Sequence, residues 1–291
     1  MNSIDIESKK FLGQPKNFVS IFNALLLDGQ PVLKPEYLKD ENSELVMNVS
    51  SKHVDIIKRY EDGTYLDLFV IESQSYVDQC MVARVMEYEC VARMRYIRQN
   101  FKKHVPMHTR LPMILTVVLY VGESKWNAAK RLSELEIIHP GFEDMFNEFK
   151  LNLIELNTNH KYNTGEKATQ DFFDLLRMIY RKQILKENLD REFNRDALYF
   201  AYVVTKNKEL LNIYQESEKG DVKVCRALDE MFEESTNKGI QMGIKQGIEQ
   251  GIALNQFEVY QTMLDKGFSV KAIASIFSVS EESIKTLLMK A

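Results

Sequence analysis

The sequence predicts an α/β fold in which a mixed sheet is flanked by helices and followed by an α-helical C-terminal extension. Segments with strand-like and helix-like patterns alternate along most of the chain, which indicates this class. The apolar run "MILTVVLYVG" at 113–122 is typical of a central strand covered on both faces. The repeat "GIQMGIKQGIEQGI" at 239–252 indicates a long helix near the C-terminus.

The N-terminal part contains one helix and one pair of strands. Residues 17–27 have the apolar spacing of a helix, which Asp28 and the following glycine end. Residues 30–50 are predicted to be irregular, because they contain two prolines and the charged run "KDENSE". The stretch "HVDIIKRYEDGTYLDLFVIESQS" at 53–75 predicts two strands around a tight turn.

The middle of the chain continues the alternation. Residues 80–101 carry apolar side chains at helical intervals, and Pro106 ends the pattern. "FKLNLIELN" at 149–157 alternates apolar and polar residues and therefore predicts a further strand. Residues 168–216 are predicted to be helical throughout.

The glycine-isoleucine repeat has two interpretations. Glycine in the interior costs a helix about 1 kcal/mol per residue, so close packing against another helix is needed in compensation, or the segment is a loosely ordered linker. Packing on a second copy predicts a homo-oligomer. We expect a core domain over 1–216, a helical linker with the repeat over 217–255 and a small helix-turn-helix-like tail over 256–291.

The tail is predicted to contain three short helices. Gly267 is a stop signal, and Ser269 and Ser280 are predicted N-caps. The last helix begins with acidic residues and offers few basic side chains, so a capping or oligomerisation role is favoured over base reading.

Composition excludes several classes of protein. The net charge of −4 argues against coating of nucleic acid by bulk electrostatics. The three cysteines form no CxxC pair, which argues against a disulfide framework or a zinc site. The N-terminus has no apolar signal-peptide core, and no apolar run is long enough for a membrane span. We therefore expect a cytoplasmic protein.

The predicted hairpin brings acidic side chains together. If Asp62 and Gly63 form a two-residue turn, Asp55 lies opposite Val70, and it becomes a diagonal neighbour of Glu72 on the same face. Gln74 projects from that face one step further along the strand.

Two carboxylates held together on a partly buried face repel each other, and three remedies are open. One carboxyl group can be protonated. Each can pair with an arginine, for instance Arg84 in the following helix. A divalent metal such as Mg²⁺ can bind both Asp55 and Glu72, since it accepts one or two carboxylates and keeps several waters.

Several segments together resemble a known family. They are "FVSIFNALLLDG", "HVDIIKRY", "VIESQSYVDQCMVARVMEYE", "LTVVLYVGESKW", "FKLNLIELN" and "GIKQGIEQGI". The chain resembles the recombination-promoting nuclease / putative transposase family (Rpn) of the PD-(D/E)XK nuclease superfamily. That family's strand usually reads close to I-E-N-Q, from which Ser73 departs here.

The resemblance implies a restriction-endonuclease-like fold for 1–216 and Mg²⁺-dependent hydrolysis of DNA, with Mn²⁺ as a substitute, linked to recombination or transposition. It implies that Asp55 and Glu72 bind the metal and that Gln74 is the third catalytic residue, where the wider superfamily has lysine. Arg84 and Tyr88 match "MxxRxxxY"; they either contact phosphate or fix the helix to the sheet. The alternative is a catalytically weak or inactive relative that acts as a DNA-associated or oligomerising module.

Overall fold

The structure is a computed structural model that describes residues 3–41, 56–63, 66–101, 103–184, 191–217 and 220–290. The chain divides into two compact units, Met1–Asp229 and Glu230–Ala291. The domain boundaries expected from the sequence, at 216 and 255, stay predictions. In the part of the chain that is described, no helix is both long and apolar enough to cross a bilayer.

A five-stranded mixed sheet forms the centre of the first unit, as predicted. Its strands lie side by side in chain order: β1 (Leu38–Asp40), β2 (Ile56–Glu61), β3 (Leu66–Gln74), β4 (Ile114–Tyr120) and β5 (Asn152–Glu155). β1, β2 and β3 pair antiparallel, whereas β3, β4 and β5 pair parallel. The crossover from β3 to β4 contains a helix, because parallel neighbours need a long connection.

Helices account for most of the rest of the chain. They are α1 (Ser3–Leu12), α2 (Pro15–Leu27), α3 (Met81–Asn100), α4 (Lys167–Arg181), α5 (Arg195–Thr205), α6 (Lys208–Glu216), α7 (Cys225–Asp265), α8 (Val270–Phe277) and α9 (Glu281–Lys290). Short 3-10 turns occupy Pro35–Tyr37, Leu132–Glu134 and Glu143–Met145. The α/β class and the helical C-terminal region are therefore confirmed.

The prediction of continuous helix over 168–216 is wrong. Between α4 and α5 the chain forms a short strand, β6 (Glu192–Phe193), which pairs antiparallel with β7 (Val222–Lys223). Phe193 is fully buried, and Arg191 beside it binds the carboxylates of Asp171 and Asp174 on α4. These contacts between distant segments outweigh the local helical pattern.

The predicted register of the hairpin is also wrong. Glu61 pairs with Leu66, so four residues connect β2 and β3 instead of two. Val70 consequently pairs with Ile57, and the predicted pairing of Asp55 with Val70 does not occur. Asp55 itself lies outside the described residues. The shift is by two residues, which preserves the face that each side chain of the two strands occupies.

Both faces of β3 are covered. Leu68 and Val70 pack with Tyr88 and Ala92 of α3. On the opposite face, the ring of Phe69 lies 4.8 Å from that of Phe22 on α2. Since side chains alternate along a strand, the even-numbered residues at the end of β3 also face α3.

The second unit has its own small core at the end of α7 and in α8 and α9. Tyr260, Ile273, Ala274 and Ile284 form this core. Gly267 adopts a φ of 89° where α7 ends, so the predicted stop is confirmed. Ser269 Oγ accepts a hydrogen bond from the backbone N of Ala272, and Ser280 Oγ accepts one from that of Ser283, which confirms both N-caps.

Candidate active site

Two polar side chains lie side by side and buried at the carboxyl end of β3. Glu72 is 3% exposed and Gln74 is 5% exposed. Gln74 Nε2 donates a hydrogen bond of 2.8 Å to Glu72 Oε1. The strand positions them, because residues two apart project from the same face. Their main-chain neighbours on β4 are Val118 and Tyr120, respectively.

Arg84, on α3, links the helix to this strand end. Its Nη2 atom donates to Tyr88 Oη at 2.7 Å and to Glu72 Oε1 at the longer distance of 3.4 Å. Its Nη1 atom donates to Asp78 Oδ2. The arginine that was one alternative partner for Glu72 is therefore in contact with it, although its closer contacts are with Tyr88 and Asp78.

The surroundings of Arg84 and Tyr88 determine whether each side chain is charged. Burial would lower the pKa of Arg84, but its hydrogen bonds to Asp78 and Tyr88 and the charge of Glu72 raise it overall. Burial raises the pKa of Tyr88, against the opposing hydrogen bond from Arg84. Arg84 is consequently a cation and Tyr88 a neutral phenol at neutral pH. With Glu72 and Asp78 counted as carboxylates and Arg84 as a guanidinium ion, the three side chains carry one formal negative charge.

Asp55, the other predicted metal ligand, lies outside the described residues. It directly precedes Ile56, and Ile56 pairs with Ile71, which directly precedes Glu72. Of the site residues predicted from sequence, the structure brings Glu72, Gln74, Arg84 and Tyr88 together.

The residues present fit a hard divalent cation in their chemistry. Carboxylate oxygens are the ligands that Mg²⁺ prefers, and one or two of them suffice when water and phosphate complete the shell. Within the described ranges there is no group of three or more His, Cys, Asp or Glu side chains that could hold a metal. Metal binding by Glu72 together with Asp55 stays a prediction.

Sequence reasoning did not identify Asp78 as part of this cluster. Besides binding Arg84, Asp78 Oδ1 accepts a hydrogen bond of 2.9 Å from the backbone N of Cys80, at the start of α3. The available signal was an acidic residue just before a predicted helix. Sequence reasoning also missed Glu89, a buried carboxylate of α3 that accepts from the backbone N of Thr116 at 3.0 Å and from Arg93 at 2.9 Å. Glu89 is held by main chain and arginine, so its role is structural.

Comparison with known proteins gives one match. Residues 34–209, more than half of the chain, match the family described as "Putative transposase, YhgA-like". The matched range includes the whole sheet together with Glu72, Gln74 and Arg84. Neither the curated proteins nor the solved structures gave a match. The match over most of the first unit shows that the chain belongs to the YhgA-like family of putative transposases.

Proposed function

We propose that this protein is a metal-dependent DNA endonuclease, which hydrolyses phosphodiester bonds in DNA recombination or transposition. The observation that carries the proposal is the buried pair of Glu72 and Gln74 at the carboxyl end of β3. Ligands of open α/β sheets bind at the carboxyl ends of the parallel strands. Membership of a family described as putative transposases supports DNA as the substrate.

In this proposal, Asp55 and Glu72 hold Mg²⁺, or Mn²⁺ in its place. When bound, the ion lowers the pKa of a water molecule and offsets negative charge on the phosphate. Glu72 supplies a carboxylate whose orientation is fixed by the hydrogen bond from Gln74. The contact with Arg84 at 3.4 Å is long, so the guanidinium offsets part of the charge of Glu72 and leaves the carboxylate able to bind a cation.

Gln74 has a positioning task. Its amide NH₂ group donates a hydrogen bond to Glu72, and its amide oxygen can accept a hydrogen bond from a water molecule. The oxygen of that water forms a bond to phosphorus as the bond from phosphorus to the departing sugar oxygen breaks; the water gives up a proton to solvent, and the sugar oxygen takes one up from solvent. Arg84 and Tyr88 act as positioning residues, because their hydrogen bonds hold the start of α3 against the end of β3.

Nicking of a supercoiled plasmid tests this function. Wild-type protein should convert the plasmid to open circles with Mg²⁺ or Mn²⁺ and should be inactive in EDTA. Asp55→Asn and Glu72→Gln should each abolish nicking, because each replaces a charged oxygen ligand by a neutral group of the same shape.

The matched control is Asp144→Asn, which removes an exposed carboxylate in the Glu143–Met145 turn. It should leave nicking unchanged. All variants should show the circular dichroism spectrum of the wild type. Failure of the folded wild-type protein to cut with either metal would reject the proposal, as would full activity of Glu72→Gln.

The alternative function, an oligomerising interaction module, is favoured by one observation on α7. The side chains of Ile240, Ile244, Ile248 and Ile252 are 53–58% exposed. Among the described residues, only neighbours in their own helix come within 4 Å of a Cβ added to the glycines that precede them. At 100° per residue, the isoleucines form one stripe that turns slowly around the helix. We propose that this stripe packs against the same stripe of a second copy.

The mass of the protein in solution tests this alternative. Light scattering of the full chain should give a multiple of the 33.9 kDa chain mass. Ile244→Asp with Ile248→Asp should give the single-chain mass. Met242→Asp, on the other side of the helix, should keep the mass of the wild type. A single-chain mass for the wild-type protein would reject the proposal.

A further inference from the structure

A pocket of about 500 Å³ opens beside the candidate active site. It begins at Ser75, the residue after Gln74, and its other lining residues are Tyr76, Val77, Tyr120, Glu123, Ser124, Lys125 and Asn127. The pocket therefore lies at the carboxyl ends of β3 and β4. Its volume falls in the range of small-ligand sites, about 300–1,000 Å³.

The walls of the pocket are fixed by hydrogen bonds. The backbone N of Val121 donates to the carbonyl O of Gln74 at 2.8 Å, which holds the two strand ends together. Tyr120 Oη donates to the carbonyl O of Ser124 at 2.8 Å. Asn157 Nδ2 lies 3.1 Å from the carbonyl O of Gly122 and 2.6 Å from that of Ser124. The loop after β4 is thus held in place before any ligand arrives.

Position 122, in the loop after β4, requires glycine. A Cβ added to Gly122 would lie 2.4 Å from Tyr120 Oη and 2.7 Å from the carbonyl O of Ser75. The loop therefore lies too close to the end of β3 to accept a side chain at position 122, and the shape of the pocket is set by the fold.

The lining offers an aromatic ring, a cation, an amide and one carboxylate, that of Glu123, two residues before the lysine. Tyr76 is 55% exposed. In the described part of the chain, its ring makes no aromatic contact and its hydroxyl makes no hydrogen bond. Lys125 is exposed and forms no ion pair with a described residue. Asn127 is also exposed, and its Oδ1 atom accepts a long hydrogen bond of 3.4 Å from Gln79.

We propose that this pocket takes one unpaired nucleotide of a DNA strand. The base stacks on Tyr76, a phosphate meets the ammonium group of Lys125, and the amide of Asn127 contacts the edge of the base. A base within a duplex presents no free face, so it must be unpaired or extruded to enter. The inference rests on the proposed function and deepens it, because it assigns the enzyme a substrate with an unpaired nucleotide next to the cut phosphate.

Fluorescence anisotropy of labelled DNA in EDTA tests the proposal without cleavage. The full chain should bind a single-stranded oligonucleotide more tightly than the fully paired duplex of the same length. Tyr76→Leu should weaken single-strand binding about fivefold or more, as expected for removal of one base stack, and Tyr76→Phe should keep it. Lys125→Gln should weaken binding and reduce its dependence on salt.

Two exposed residues outside the pocket give matched controls. Phe142→Leu removes an aromatic ring that is 54% exposed, and Lys208→Gln removes an exposed ammonium group at the start of α6. Neither should change binding. Single-strand binding that survives Tyr76→Leu, an equal loss on duplex and single strand, or no binding of single strands by wild type would each overturn the proposal.

A free nucleotide is the other source of the same chemistry. If deoxyadenosine monophosphate bound in a Tyr76-dependent way while oligonucleotide binding did not need Tyr76, the pocket would be a metabolite site and the proposal would fail. Binding is measured without metal, so an absence of plasmid nicking would reject the endonuclease and leave a Tyr76-dependent result intact.

Discussion

Gln74 donates a hydrogen bond of 2.8 Å to Glu72 across the buried end of β3. A buried carboxylate needs such a donor, since burial without one costs several kcal/mol. An amide donor satisfies the oxygen without neutralising it. The strand end therefore places a carboxylate, whose charge Arg84 offsets only in part, next to the position where the proposed substrate carries negative charge.

We predict that Gln74→Lys increases the rate of metal-dependent nicking, whereas Gln74→Leu decreases it. An ammonium group beside Glu72 would stabilise charge that develops on the phosphate, and leucine would leave a buried carboxylate without its donor. Nicking rates at fixed metal concentration check this. Equal rates for the two variants would show that the group at position 74 takes no part in cleavage.

Arg84 should matter for stability. It bonds to Asp78 and Tyr88 and contacts Glu72, so Arg84→Gln should lower the free energy of unfolding by about 1.5–3 kcal/mol, the range for hydrogen bonds to charged groups. Urea unfolding measures the change. Arg98→Gln, at an exposed position of the same helix, should change it by less than about 0.5 kcal/mol. A similar small effect of Arg84→Gln would contradict the structural role.

Tyr180 should make stability depend on alkaline pH. Burial raises the pKa of its phenol above the ordinary value of 10.0, and its hydroxyl donates to the carbonyl O of Val121. Above pH 10 the unfolded chain loses this proton while the folded chain keeps it. The contribution to stability is therefore complete below pH 10 and declines above it, by at most about 1.4 kcal/mol per pH unit.

Tyr180→Phe isolates this effect, because the other tyrosines are present in both proteins. Urea unfolding between pH 9 and pH 11, values that bracket the ordinary tyrosine pKa of about 10, should show a shallower decline for the variant. Parallel declines would mean that the Tyr180 phenol titrates alike in the folded and unfolded chains.

Replacement of glycine by alanine should have opposite effects on stability in the two units. Gly122→Ala should destabilise the first unit by about 1–3 kcal/mol, because the added methyl group overlaps Tyr120 and the main chain of Ser75. The methyl group of Gly243→Ala meets no described residue beyond its neighbours in α7, so this variant should raise the helicity of α7, by about 1 kcal/mol in helix stability. Circular dichroism with urea unfolding measures both. Stabilisation by Gly122→Ala would show that the close approach at this loop is absent.

If α7 associates closely with a second copy, Gly243→Ala should also weaken self-association, because the methyl group separates the two backbones. Light scattering at several protein concentrations measures this. Unchanged association together with higher helicity would show that the glycines are not needed for close packing.

Pattern identified α2, α3, β2, β3, β4 and β5, but it missed β1, which lies in a segment predicted to be irregular, and it could not set the register of the hairpin. The dipeptide of Asp62 and Gly63 favours a two-residue turn, whereas Glu61 pairs with Leu66 across four residues. Glu72 and Gln74 were nevertheless placed on one face correctly, because their spacing of two on one strand does not depend on the partner strand.

Contacts between distant residues explain what the sequence did not reveal. The β6–β7 pair joins segments about thirty residues apart, and nothing in the local pattern of Glu192 and Phe193 indicates it. The pocket beside Ser75 depends on Asn157, which binds a loop more than thirty residues earlier. Asp55 was proposed from sequence as a metal ligand, and both that role and its place relative to Glu72 stay predictions.

The hydrogen bond from the Val121 amide to the Gln74 carbonyl has an experimental use. That amide can exchange its hydrogen for deuterium only when the ends of β3 and β4 separate. Its exchange rate therefore reports the fraction of molecules in which the proposed catalytic edge is open, at a single backbone position. Ligands that bind at this edge should slow the exchange in proportion to their occupancy.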